Sequence, residues 1–111
     1  MYRLSRDKWA IMANTIRTSG FKALVQALVD GRHALGITQR DLAARLGCLP
    51  ATVANIESGQ RRIDVIELIA LARALNMAPD ELFQIAMREA DESELFNNFS
   101  RSRHKATDPA D

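Results

Sequence analysis

Apolar residues recur at helical spacing along most of the chain, and glycine and proline residues separate these periodic segments. The first segment covers about residues 6–18, where Trp9, Met12 and Ile16 fall on one face of a helix. The pair Ser19-Gly20 is predicted to end this helix. The pattern indicates an amphipathic N-terminal arm, which could cover the core of its own domain or pair with a second subunit.

The next two periodic segments have recognisable helix ends. A helix over about residues 21–34 would be ended by Gly36, which can adopt a left-handed conformation just past the last turn. Thr38 precedes Asp41 by three residues, and this spacing, which resembles a capping box with Asp in place of Glu, predicts a short helix through Leu46. The inward side chains of the longer helix are Phe21, Leu24, Val25 and Leu28, with Leu35 as a further candidate.

A sharp corner follows the short helix. Gly47 allows a positive φ and so can turn the chain. Pro50 suits the first turn of another helix because its φ already fits and its missing N–H would be unpaired there anyway. That helix is predicted to run to about Ser58, before Gly59.

Two further helices complete the pattern. One opens at Asp64, where Glu67 completes a capping box, and the other begins at Pro79. Residues 93–99 could add one or two amphipathic turns, whereas residues from about 100 have almost nothing to bury and are expected to be disordered. Because no strand pattern appears, the sequence predicts an all-α fold.

Composition narrows the class of protein. The 111 residues are 47% apolar and 26% charged, which is typical of a single globular domain. A single cysteine excludes an intramolecular disulfide, and two histidines far apart in sequence do not form a metal-ligand cluster, so we expect no metal and no cofactor. The chain shows neither a membrane-spanning run nor the apolar core of a signal peptide, so we expect a cytoplasmic protein with no membrane partner. The sequence offers no candidate for an activated nucleophile and no paired carboxylates, so we do not expect an enzyme.

The net charge of +1 is unevenly distributed. Residues 1–20 carry four bases and one acid, for a net charge of +3, while residues 21–90 carry eight of each. Residues 91–111 carry three bases and five acids, for a net charge of −2. The basic surplus is therefore local to the arm.

The stretch from Ile37 to Gly59 resembles the helix-turn-helix of the lambda repressor and Cro type, also called the XRE family. The likeness extends from about Phe21 to Phe83. The motif positions that take apolar or small residues, and glycine at the turn, are occupied by Leu42, Ala43, Leu46, Gly47, Cys48, Val53 and Ile56. The resemblance implies a five-helix lambda-repressor-like domain over residues 21–91, with the arm at 1–20 before it and an extension at 92–111 after it.

The resemblance also implies which residues contact DNA. The helix beginning at Pro50 would lie in the major groove, and the helix beginning at Thr38 would cross the backbone. Residues at base-facing positions are Pro50, Ala51, Thr52 and Asn55. Asn55 is the leading base reader, because a carboxamide can pair bidentately with adenine. Residues at phosphate or flanking positions are Gln39, Arg40, Ser58, Gln60, Arg61 and Arg62. Arg32 and Glu57 match a structural ion pair of relatives.

The chain departs from the family pattern at the start of the recognition helix. Relatives commonly have Ser or Thr at the capping position, whereas this chain has Leu49, whose side chain cannot cap. Pro50 stands where a polar reader such as Gln is common, and its neighbour is Ala51, so direct hydrogen bonds to bases would be few. These two residues could contact a thymine methyl group, and DNA shape could add specificity.

Together, these features predict a sequence-specific transcriptional regulator of bacteria or phage that binds double-stranded DNA. It would act as a dimeric repressor that inserts the helix at 50–58 into the major groove. The homodimer would form through the N-terminal arm or through a C-terminal helix with Leu95, Phe96 and Phe99. The alternative is an antitoxin-like or adaptor protein that binds a partner protein, with DNA binding that is autoregulatory or lost.

Overall fold

The computed structural model describes residues 14–99 of the chain. Within that range it contains a short 3-10 helix and six α-helices, and no residue lies in a strand, so the predicted all-α fold is confirmed. The 3-10 helix covers Asn14–Arg17, and the α-helices are α1 (Ser19–Leu35), α2 (Gln39–Leu46), α3 (Pro50–Glu57), α4 (Val65–Ala74), α5 (Pro79–Glu89) and α6 (Glu92–Phe99).

The predicted end of the arm helix at Ser19-Gly20 was wrong, because these two residues are the first residues of α1. Thr18 is the N-cap, and its hydroxyl accepts a hydrogen bond of 3.3 Å from the backbone N–H of Phe21. The backbone N–H of Ser19 donates to a carboxylate oxygen of Glu94 at 3.0 Å, which ties α1 to α6. The predicted positions of Trp9 and Met12 and the predicted disorder from about residue 100 lie outside the described residues.

Local hydrogen bonds fix the starts of α2 and α4. Thr38 accepts from the N–H of Asp41 at 3.0 Å, and Asp41 accepts from the N–H of Thr38 at 2.9 Å. Asp64 and Glu67 exchange the same two bonds, at 2.7 and 3.1 Å. Both predicted capping boxes are therefore confirmed. By contrast, α3 begins after Leu49, which makes no side-chain capping bond.

The hydrophobic core draws on each helix from α1 to α5. Its buried members are Leu24, Leu28, Leu42, Ala43, Val53, Ile56, Leu68, Leu71, Ala72, Leu75 and Leu82. Leu82 and Val53 have no exposed surface at all. Leu35 does not join this core, since it is exposed at the last position of α1. The core is therefore enclosed by all five of these helices.

Two glycines mark the close packing of α1 against α5 and the segment before it. A Cβ added to Gly20 would lie 2.7 Å from the backbone oxygen of Ala86, so the two helices approach each other backbone to backbone there. A Cβ added to Gly31 would meet the sulfur of Met77 at 2.6 Å. The start of α1 thus faces the end of α5 and the end of α1 faces the segment before α5, so the two helices run antiparallel.

Candidate nucleic-acid interface

The corner between α2 and α3 is built as the sequence indicates. Gly47 ends α2 in the left-handed region, with φ of +75°, and the backbone N–H of Cys48 donates to the carbonyl of Ala43 at 3.0 Å. Ala43 is 1% exposed, and this small side chain lets the helices come close together. Val53 and Ile56 bury the inner face of α3. The outer face of α3 is left for other contacts.

An ion pair holds the end of α3 to α1. Arg32 Nε lies 2.6 Å from Glu57 Oε2, and its Nη2 donates to Glu57 Oε1 at 3.0 Å. Arg32 Nη1 also donates to the carbonyl of Ile37 at 2.8 Å. The two side chains are only 11% and 8% exposed, so this fork of hydrogen bonds operates with little solvent around it. The last residue of α3 is therefore fixed to α1 and to the segment that leads into α2.

Gln39 belongs to the same network. Its side-chain N–H donates to Glu57 Oε1 at 2.8 Å, so the first residue of α2 is bonded to the last residue of α3. Burial alone would raise the pKa of Glu57, but the hydrogen bonds from Arg32 and Gln39 outweigh it, and the pKa lies below its ordinary value. Glu57 is therefore a carboxylate at neutral pH, and Gln39 is bonded within the protein rather than free at the surface.

The outer face of α3 carries three of the four predicted base-facing residues. Pro50, Ala51 and Asn55 are exposed. Thr52 is half-buried and lines a cleft of about 170 Å³ between α3 and α4. The other residues around this cleft are Leu46, Cys48, Ile56, Arg61, Glu67, Ala70 and Leu71. The exposed surface of α3 thus offers one carboxamide and two small apolar side chains.

The loop between α3 and α4 carries the predicted phosphate contacts. Ser58 and Gln60 are exposed, and the hydroxyl of Ser58 donates to the carbonyl of Asn55 at 3.1 Å. Arg62 is exposed, whereas Arg61 forms an ion pair with a carboxylate of α4. Arg40, on α2, is exposed as well. The structure therefore gives the two neighbouring arginines of the loop different surroundings.

The comparisons with known proteins agree with this architecture. A family model described as helix-turn-helix matches residues 30–82. A solved structure described as an XRE-family like protein from Pseudomonas syringae pv. tomato str. DC3000 is 38% identical, with a TM-score of 0.61. The match covers 67% of this chain and 90% of that one. This chain belongs to the XRE family of helix-turn-helix proteins. A search of curated proteins gave no match.

As an XRE-family protein, the chain is a DNA-binding transcription regulator whose partner is double-stranded DNA. Its family is one of DNA-binding regulators and is generally not enzymatic. No group of His, Cys, Asp or Glu within residues 14–99 could hold a metal ion. None of the helices in the described part of the chain is long and apolar enough to cross a membrane.

Sequence reasoning missed two partners in this interface. The pairing of Gln39 with Glu57 spans 18 positions, and no local pattern marks it. The partner of Arg61 is Glu67, which the sequence had identified only as a capping-box residue. One sequence feature could have indicated this pair. Arg61 and Glu67 are six residues apart across a loop that ends in a capping box, and a capping carboxylate faces back toward the preceding loop.

Proposed function

We propose that this protein is a dimeric, sequence-specific repressor that inserts α3 into the major groove of DNA. The supporting observation is the orientation of α3, whose inner face is buried through Val53 and Ile56 while Pro50, Ala51 and Asn55 are exposed. The bonds from Arg32 and Gln39 to Glu57 fix the end of this helix before DNA arrives, which lowers the cost of ordering it on binding.

The proposed base contacts come from the start and middle of α3. Asn55 would pair with an adenine through its carboxamide, while Pro50 and Ala51 would contact thymine methyl groups. Thr52 would act at the edge of the groove, since it is half-buried against the cleft. Because these base-contacting residues include one carboxamide and two small apolar side chains, we expect half-sites that contain A·T pairs. DNA shape would be the second source of specificity.

The proposed backbone contacts flank α3 on two sides. At the start of α2, a phosphate would lie near Gln39 and Arg40, where a helix N-terminus favours negative charge. The Gln39 side chain would stay bonded to Glu57, and the exposed Arg40 would contact the phosphate. Beyond α3, the loop would contact another stretch of backbone through Ser58, Gln60 and Arg62.

The proposed dimer would place two copies of α3 about 34 Å apart, so that both enter successive major grooves on one side of the duplex. The copies would meet through the N-terminal arm or through α6, which carries Leu95 and Phe96 on its accessible surface. The protein would act in the cytoplasm, where bacterial and phage DNA is transcribed.

Selection of random duplex DNA by the purified protein at about 0.15 M salt tests this function. A repressor of this kind should enrich a palindrome whose half-site centres lie about 10 base pairs apart. Asn55→Ala should relax the preference at one base pair of each half-site, at a cost of about 1–3 kcal/mol. Gln26→Ala removes an exposed carboxamide from α1 and serves as the matched control, which should enrich the wild-type palindrome.

A folded protein that enriches no sequence would contradict the proposed function. That outcome would favour the alternative of an antitoxin-like or adaptor protein. Isolation of a stoichiometric protein partner from the native host would then be the next measurement.

A further inference from the structure

The loop between α3 and α4 contains two adjacent arginines that a sequence reading treats alike. We propose that Arg61 positions the loop by holding Glu67, and that only Arg62 of the two neutralises a DNA phosphate. This inference rests on the proposed function, because it assigns roles within the same DNA-binding surface.

The side chain of Arg61 is turned back toward the protein. Its Nη2 lies 2.8 Å from Glu67 Oε2, and its Nη1 donates to Glu67 Oε1 at 3.1 Å. Nη1 also donates to the backbone carbonyl of Arg62 at 3.1 Å. Two parallel bonds between a guanidinium and a carboxylate are among the stronger and more geometrically specific charge-assisted contacts. Arg61 therefore links the loop both to α4 and to its own neighbour.

The Glu67 carboxylate is held by a second hydrogen bond besides those from Arg61. It accepts a hydrogen bond of 3.1 Å from the N–H of Asp64, as part of the capping box that opens α4. The hydrogen bonds from Arg61, and then that of Asp64, hold the pKa of Glu67 below its ordinary value. Because the carboxylate is already fixed by the helix start, pairing with it fixes the loop at a defined point.

Arg61 and Glu67 also border the cleft between α3 and α4, opposite Cys48 and Thr52 of the helix-turn-helix. The pair therefore spans from the loop to α4 beside the start of the recognition helix. A phosphate that took the edge of the Arg61 guanidinium now facing Glu67 would have to break both bonds to that carboxylate. That exchange would leave the Glu67 carboxylate without a charged partner, held only by the N–H of Asp64, close to the negatively charged duplex.

Arg62 carries neither cost. Arg62 is exposed, and its guanidinium makes no hydrogen bond or ion pair with any residue in the described range 14–99. Its carbonyl, by contrast, accepts the bond from Arg61. Arg61 thus fixes the backbone of Arg62 while leaving the side chain of Arg62 available to a phosphate.

The salt dependence of DNA binding separates these two roles, because each neutralised phosphate contributes about 0.9 to the slope of log K against log salt. The selected duplex is titrated with wild-type protein, Arg62→Gln, and the double variant Arg61→Gln with Glu67→Gln. The double variant removes one charge of each sign and so leaves the net charge of the site unchanged. Glutamine at position 67 also retains the capping box.

We expect Arg62→Gln to lower the slope by roughly 1, whereas the double variant should keep the wild-type slope. Between 50 and 200 mM salt, a slope difference of that size changes the relative affinity by about 3.5-fold. The double variant should bind somewhat more weakly at every salt concentration, because its loop is less well fixed. Circular dichroism melts of both variants establish that they are folded.

A double variant whose slope falls by as much as that of Arg62→Gln would overturn the assignment. A wild-type slope retained by Arg62→Gln would overturn it too. If the wild-type protein does not bind any duplex, the proposed function fails first. That result is distinguishable from failure of this inference, because the wild-type titration is read before the variants are compared.

Discussion

Replacement of Arg32 with leucine should destabilise the protein more than any substitution of an exposed charge. The leucine keeps apolar volume beside Glu57 but removes both bonds to its carboxylate. Glu57 is 8% exposed, so water cannot fully replace the guanidinium, and only the hydrogen bond from Gln39 remains. The substitution therefore leaves a negative charge largely buried and mostly unpaired.

The size of the effect follows from these contacts. Removing one partner of a buried ion pair costs about 3–5 kcal/mol of stability. Because Glu57 keeps its hydrogen bond from Gln39, we expect a cost at the low end of this range. The carbonyl of Ile37 loses its bond from Arg32 as well, which adds about 1 kcal/mol. We expect a total near 4 kcal/mol. For a domain of this size, that corresponds to a fall in Tm of about 15–30 °C.

A double-mutant cycle measures the contribution of the pair itself. Urea unfolding at pH 7 is followed by circular dichroism for wild type, Arg32→Leu, Glu57→Leu and the double variant. Because the double variant leaves no charge buried, it should be more stable than either single variant. The coupling energy should exceed about 2 kcal/mol.

Two results would refute this reasoning. If each single variant costs less than about 1 kcal/mol, the pair is effectively solvated despite its low exposure. If the double variant loses the sum of the two single effects, the two side chains act independently, and the observed bonds carry no coupling.

Further predictions concern the start of α3, two glycines of α1 and the pH dependence of Glu57. Leu49→Ser should supply the missing cap of α3 and raise the free energy of unfolding by about 1 kcal/mol, and an unchanged or lower Tm would contradict this. Gly20→Ala should destabilise by about 1–3 kcal/mol, because the added Cβ meets the backbone oxygen of Ala86. Gly31→Ala, which meets only a flexible methionine side chain, should stay within about 1 kcal/mol of wild type in urea, since helix propensity favours alanine. The stability that Glu57 contributes should be present above about pH 5 and lost as the pH falls through its lowered pKa, because the unfolded chain binds that proton more readily. Glu57→Gln should therefore show a shallower loss of stability between pH 7 and 3, and an equally steep loss would exclude this carboxylate as a source.

Most helix boundaries were predictable from the sequence because their signals act over three or four residues. The capping boxes at Thr38 and Asp64 and the left-handed Gly36 and Gly47 are of this kind. The pair Ser19-Gly20 was misassigned because glycine is most frequent just past the end of a helix, whereas here it lies in the first turn. What decides between the two is the cap from Thr18 and the close approach of α5, and the second of these depends on the tertiary fold.

The candidate site was predictable in outline but not in its side-chain pairings. The exposed positions of α3 follow from helical periodicity once Val53 and Ile56 are assigned to the core. The partners of Gln39 and Arg61 do not, because several acceptors lie within reach of such long side chains. Which acceptor is used depends on distances set by the packed helices.

The two capping boxes and the uncapped start of α3 also bear on the order in which the chain folds. The capping bonds of α2 and α4 join residues three apart, so they can form before any tertiary contact exists. No such bond opens α3, and this helix is stabilised mainly by the burial of Val53 and Ile56 against the other helices. Helices of eight to ten residues are marginal in water on their own, and α3 also lacks a capping bond, so we expect α3 to form later than α2 and α4. The segment proposed to read DNA would then be the last of the motif to acquire its structure, and its amide protons should exchange with solvent before those of α2 and α4.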